Sequence, residues 1–228
     1  MPRKGLGFVA ITKCASTTVE ALLSNQKGLF IAGTPGLKHT TYKLFEAHIL
    51  PLLEAKKIPR PHFFAITREP AERLLSWYKY RQRDRIVNAK EGSRKSDNYA
   101  GNLTFEEYAE GALSIRPDKM FKFKPQRAFL VDQSQKVAVE TLIRAEHMDE
   151  LLPHLFRHYR IAWPDTVERR NISPTFKGSK MTDELRKRIN ESDTFITDYE
   201  LYRGSTSTKQ ELLATLKPRE KHRRAKPV

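Results

Sequence analysis

The chain has 228 residues, 39% of them hydrophobic, with 42 Lys and Arg against 27 Asp and Glu for a formal charge of +15. That length suits one sizeable α/β domain, and that charge excludes an ordinary enzyme surface with no polyanionic partner, implying nucleic acid, a sulfated or phosphorylated ligand, or an acidic surface. A single cysteine, Cys14, excludes an intrachain disulfide and any zinc site built on two or more cysteines of the chain, and fits a reducing, cytoplasmic compartment.

The opening "MPRKGLGFVAITK" carries no signal-type apolar core, and no window approaches about eighteen consecutive apolar residues, so neither export nor a membrane span is expected. "GFVAI" reads as a strand buried on both faces, and "STTVEALL" as a helix with hydroxyl residues at its start. In "YKLFEAHILPLLEAKK", Leu44, Phe45, His48, Ile49 and Leu52 keep helical spacing, which Pro51 should kink or divide. "HFFAITREPAERLLSWYKY" repeats strand, polar turn and helix, with Pro70 near the first helical position. Two such units predict an α/β protein with a three-layer, P-loop-like fold: a central, mainly parallel sheet flanked by helices.

The charged stretch "RQRDRIVNAKEGSRKSDNYAGN" reads as a mobile surface excursion. Thr104 with Glu107 forms a capping box that starts a helix. "VAVETLIRAE" predicts a further strand, "HMDELLPHLFRHY" a helix interrupted or kinked at Pro153, and "TDELRKRINESDTFITDYELY" a last helical region. Residues 1–216 are expected to form one domain, followed by a basic, disordered tail at 217–228.

Two turns carry the chemistry. After the first strand stand Lys13, Ser16, Thr17 and Thr18, a cation and three hydroxyls at a helix N-terminus whose amides suit one phosphate group. A triphosphate P-loop needs G-x-x-x-x-G-K-[ST], and no glycine separates this strand from its helix, so a Walker loop is not expected. In the second turn, Arg68 stands at the carboxyl end of its strand and Ser76 lies on the following helix, a second anion site. Arg73 shares the helix face of Ser76 and suits either a ligand or an ion pair. Two separated anion sites point to a nucleotide phosphorylated at both ends.

At these residues the chain resembles sulfotransferases that use 3′-phosphoadenosine 5′-phosphosulfate (PAPS). "ITKCASTTVEALL" looks like their 5′-phosphosulfate loop, P-K-x-G/A-x-T-[ST], and "ITREPAERLLSWY" is similar to their 3′-phosphate motif, an arginine followed eight residues later by a serine. The likeness runs from residue 6 to about 204, takes in "KHTT", "FKPQRAFLVD", "VETLIRAEHMDEL" and "DYELY", and is greatest to carbohydrate sulfotransferases and small bacterial relatives. Thr12 stands where the pattern has proline, and Ala15 where glycine is frequent.

The resemblance implies sulfuryl transfer from PAPS to a hydroxyl on a sugar or glycoconjugate, with PAP as product, no metal and no specific nucleic acid. Carried over, Lys13 serves the 5′-phosphate and the oxygen bridging to sulfur, with Ala15, Ser16, Thr17 and Thr18 around it, while Arg68 and Ser76 bind the 3′-phosphate. In "NISPTFKGSK", Phe176 would stack on adenine or pack, and Lys177 and Gly178 would close over the nucleotide. The acceptor must lose a proton, and His39 in "GLKHTT" is the first candidate base, since a neutral imidazole accepts a proton near neutral pH. Glu20 and Glu46 are in reserve, and Gln126 is expected as a structural amide near the site. Cys14 is either a small buried filler or a low-pKa thiol at a helix N-terminus. Two rival readings are a nucleotide kinase or NTPase, which shares the strand–loop–helix start, and a basic nucleic-acid-binding protein, which would account for the charge.

Overall fold

The computed structural model describes residues 4–24, 26, 28–29, 31, 33–83, 98–164 and 180–216. Of the surface excursion expected at 81–102, residues 84–97 lie outside the described residues, as do Phe176, Lys177, Gly178 and the basic tail at 217–228; the two ends of the excursion are described, and there Arg81 and Ala100 are buried, so the ends belong to the packed domain.

Three parallel strands form the sheet: β1 (Leu6–Phe8), β2 (His62–Thr67) and β3 (Thr141–Arg144), with β2 in the centre. Phe8 pairs with Phe64, and Phe64 with Thr141, so all three carboxyl ends open on the same edge. Every residue of β2 is buried, as an apolar run covered on both faces requires. On one face Phe63 meets the ring edges of Tyr42 and Phe45, at 5.1 and 5.0 Å between centroids. On the other, Phe64 meets Phe8 at 5.0 Å and Phe156 at 6.4 Å. Gly7 is what lets the Phe63 ring lie across β1, for a Cβ there would stand 2.5 Å from that ring.

Between β1 and β2 run α1 (Ser16–Ser24), α2 (Pro35–Lys38), α3 (Tyr42–His48) and α4 (Leu50–Ala55). Pro51 divides α3 from α4, as its missing N–H demands. The buried residues of this pair are Tyr42 and Leu53, whereas Leu44 and Leu52 face outward, so the apolar spacing identified the helices but not their inner face. After β2 comes α5 (Pro70–Tyr80), with Pro70 in its first turn. It packs Leu74 and Tyr78 against Phe105, Tyr108 and Ile189, a second apolar cluster beside the sheet.

That cluster is completed by α6 (Phe105–Leu113), which begins at the Thr104–Glu107 capping box. The short α7 (Arg127–Leu130) leads to β3, and α8 (Met148–His158) follows. α8 runs through Pro153 without interruption, burying Leu151, Leu152, Leu155 and Phe156; that packing outweighs the one backbone hydrogen bond proline removes. Next come α9 (Asp183–Asn190) and α10 (Ile196–Arg203). α9 holds the start of α5: Asn190 accepts from the Ala71 amide at 3.0 Å, and Arg186 pairs with Glu69 and Glu72. Thr206 then bridges to Ile143 along the outer edge of β3. A last helix, α11 (Lys209–Thr215), starts at a second capping box, Thr208 with Glu211.

Candidate functional site

The sheet delivers two polar turns to its carboxyl edge. The first, between β1 and α1, contains two non-glycine residues with positive φ, Lys13 at 64° and Ala15 at 53°, with Cys14 between them outside that region. Each such conformation costs about 1–2 kcal/mol in an L-residue. Alternation of this kind turns successive amides toward one side, the concavity in which backbone N–H groups hold anions. The amides of Ala15, Ser16 and Thr17 have no acceptor among the described residues, while those of Thr18 and Val19 bond the Ala15 carbonyl at 3.0 and 3.2 Å. Ser16 and Thr18 are buried and Thr17 is half-buried.

Neighbouring residues hold the strained backbone. Arg73, 3% exposed, donates from Nε to the Thr12 carbonyl at 3.0 Å and from Nη2 to Thr12 Oγ1 at 2.9 Å. The same Nη2 reaches the Lys124 carbonyl at 2.8 Å, and Nη1 lies 3.6 Å from Asp198. Arg73, which suited two roles in the sequence, is thus an internal clamp. Cys14 is fully buried beside Gln126, and burial pushes its thiol up to about 11 although Arg73 and Arg68 pull the other way. It is a filler and not a reactive thiolate at neutral pH.

The second turn follows β2. Arg68 is half-buried and its Nη1 donates to the Lys13 carbonyl at 3.2 Å, so its guanidinium lies against the lysine loop. No described carboxylate pairs with it, which leaves most of its donors available to a ligand. Ser76 is half-buried on α5, two turns beyond Arg68. Lys13 Nζ stands 4.5 Å from the Tyr80 ring centroid and 5.8 Å from that of Trp77, on the last turn of the same helix. Trp77 is only half-buried and forms one wall beside the lysine.

His39 comes to the same edge. As the C-cap of α2 it directs Nδ1 at the Ala10 carbonyl, 2.7 Å away, three residues before Lys13. A carbonyl only accepts, so Nδ1 carries the proton and Nε2 is left with the lone pair. Burial lowers the His39 pKa from its ordinary value, with Lys38 adding to the effect, and the imidazole is neutral at pH 7. Of the reserve carboxylates, Glu20 pairs with Lys38 at 2.6 Å, and Glu46 accepts the Gln133 amide at 3.1 Å. Lys38 also donates to Thr17 Oγ1 at 3.2 Å, which ties α2 to the start of α1.

The described residues therefore bring Lys13, Ala15, Ser16, Thr17, Thr18, Arg68 and His39 to one edge of the sheet, with Ser76 on the helix that leaves it. Thr12, Lys38 and Asp198 lie within the stretches that carry the resemblance, but none of them had a role in the site as read from the sequence. Their partners lie 21 to 72 residues away, and no local pattern marks them. No group of three or more His, Cys, Asp or Glu residues able to hold a metal ion occurs among the described residues.

Comparison with curated proteins and with solved structures returned no match. The model of one protein family, however, matches residues 1–203, a span that contains all three strands and both polar turns. On that match, the chain belongs to the sulfotransferase family.

Proposed function

We propose that this sulfotransferase takes its sulfuryl group from PAPS and passes it to a hydroxyl on a sugar or glycoconjugate, releasing PAP. The observation that carries the proposal is the meeting of the two cationic turns, with the Arg68 guanidinium 3.2 Å from the Lys13 carbonyl at the carboxyl edge of a parallel sheet. A donor phosphorylated at both ends of its ribose needs two neighbouring anion sites, and these turns fit it. Lys13 and the amides of Ala15, Ser16 and Thr17 would hold the 5′ end, with Thr18 behind them. Arg68 and Ser76 would hold the 3′-phosphate. Bound there, the donor supplies an electrophilic sulfur whose leaving group is a phosphate.

The residues of the chain do the rest. Lys13 and the helix-terminal amides stabilise charge that grows on the departing oxygen, and they are oriented before the reaction begins. Nε2 of His39 accepts the acceptor's proton, because Nδ1 is committed to Ala10 and the ring is neutral. A chain with 42 basic against 27 acidic residues suits an anionic glycan as the acceptor. The proposal places the protein in the cytoplasm, on its single cysteine, and takes residues 1–216 as one catalytic domain. No helix among the described residues is long and apolar enough to cross a membrane.

Calorimetric titration with 3′,5′-ADP, ATP and a short RNA tests the donor. Tightest binding of the bisphosphate is expected. Preference for ATP would replace the proposal with a nucleotide kinase or NTPase, and preference for RNA with a nucleic-acid-binding protein. Isotopically labelled PAPS offered with a panel of hydroxyl compounds then identifies the acceptor.

A further inference from the structure

We infer that Gln126 is a positioning residue that sets the spacing between the two anion-binding turns. The inference rests on the PAPS reading for its ligand, but its geometry stands without it. Gln126 is fully buried at the N-terminus of α7. Its Oε1 accepts the Arg68 amide at 2.9 Å and the Cys14 thiol at 3.3 Å, and its Nε2 donates to the Arg68 carbonyl at 2.7 Å. One carboxamide therefore grips the main chain of the arginine turn at both polar atoms and the lysine turn at its middle residue.

The ladder between β2 and β3 ends at Thr67 and Arg144, so the main chain of Arg68 lies one residue past it. The Gln126 side chain takes the place of a neighbouring strand there, fixing where the guanidinium begins. On the lysine turn, Cys14 lies between the two positive-φ residues, where a small rotation would swing the amides on either side. Three successive residues of that turn are each held from outside: Thr12 by Arg73, Lys13 by Arg68 and Cys14 by Gln126.

Gln126 is itself fixed by Asp198, whose carboxylate accepts the Gln126 amide at 2.7 Å and the Arg127 amide at 3.0 Å and faces Arg73. α10 thus braces both turns through one buried carboxylate. Glutamine is the residue type that fits: glutamate would lose the donor to Arg68, and asparagine is one methylene too short to span from α7 to both turns.

The test uses Gln126→Met, similar in volume but without the carboxamide, in the full chain. Titration with 3′,5′-ADP, adenosine 3′-phosphate and adenosine 5′-phosphate reads the spacing. The bisphosphate is expected to lose tenfold or more, while each monophosphate changes by threefold or less, because each turn survives and only their separation is released. Hydrogen exchange without nucleotide is the second measurement. The hydrogen-bonded amides of Cys14, Thr18 and Arg68 are expected to exchange at least tenfold faster, with those of β2 unchanged. An unchanged bisphosphate advantage together with unchanged exchange overturns the inference, and so does equal weakening of all three nucleotides. If the wild-type protein shows no preference for the bisphosphate, the PAPS reading fails, and exchange at Cys14, Thr18 and Arg68 alone decides the role of Gln126. Should Gln126→Met not fold, Gln126→Asn is measured in the same way, with the same outcomes.

Discussion

The two ends of the sheet are built from similar residue types and are left in opposite states. At the amino ends of the strands, Arg60 donates to Tyr42, to the carbonyls of Pro61 and Ala138, and to Glu140. Glu140 also takes the Phe63 amide at 2.8 Å, and His62, Thr141 and Thr215 bond one another nearby. There the arginine meets a carboxylate supplied by the protein itself. At the carboxyl ends, Arg73 has Asp198, but Arg68 meets no described carboxylate, and three successive amides at 15–17 have no described acceptor. Donors left in excess where the backbone is also held in a costly conformation mark the end of the sheet at which the proposed donor's phosphates would sit.

The largest expected effect breaks the carboxyl end. Lys13→Ala should lower turnover by about a hundred- to a thousandfold, the scale for removing one electrostatic donor. Its melting temperature should stay near that of the wild type, since the Lys13 side chain lies over Tyr80 and adds little to the core. Turnover within threefold of wild type would show that the lysine is not at the reacting centre.

His39→Ala should cost roughly a hundredfold in turnover, with little change in nucleotide affinity. The pH profile carries the sign. Burial holds the folded His39 pKa below its ordinary value of about 6.5, so the rising limb of the wild-type rate should lie below that pH and vanish in the variant. Between the folded and unfolded values only the unfolded chain binds the proton, so His39 stabilises the fold above about 6.5 and that stability is lost as pH falls through the window. If Glu46→Gln removes the rising limb and His39→Ala keeps it, the base is the carboxylate.

Glu140→Ala sharpens the comparison from the other end. Removing the acceptor of both Arg60 and the Phe63 amide should cost about 1–3 kcal/mol of stability, read in urea melts. Nucleotide affinity and turnover of the folded fraction should not move. A loss of affinity matching that of Lys13→Ala would show that the two ends are coupled and the contrast between them is false.

Much of the fold and the places of the two polar turns were legible in the sequence, whereas the amino end of the sheet was not, and the limit was set by range. Both strand–turn–helix units, the helix start at Thr104 and the division at Pro51 follow from residues within a few positions of one another. Pro153 does not interrupt α8, the first of the two outcomes expected there, because the local rule for proline does not count the four large apolar residues the helix buries around it. The box at Thr208 and Glu211 was a readable signal for α11 that the expected end at Tyr202 passed over. The brace through Arg73, Gln126 and Asp198 was not readable, since it joins residues 51 or more positions apart through buried polar atoms without a period or spacing of their own. The sequence could place the cations, but it could not show which of them the fold would consume.

Ala15→Gly is the smallest and most local test. Alanine at φ 53° carries the left-handed penalty, which glycine escapes, while glycine adds about 0.4–1 kcal/mol of unfolded-chain entropy against folding. The two terms nearly cancel, so the variant should match the wild type or exceed its stability by up to about 1 kcal/mol. Ala109→Gly, in the interior of α6 and buried, has no such relief and should lose about 1 kcal/mol or more from helix propensity alone. Paired urea melts of the two variants compare a strained alanine at the carboxyl edge with a relaxed one in a helix core. Equal destabilisation of both would mean that the turn at Lys13, Cys14 and Ala15 carries no strain, and that the amides at 15–17 are not held ready for an anion by the backbone itself.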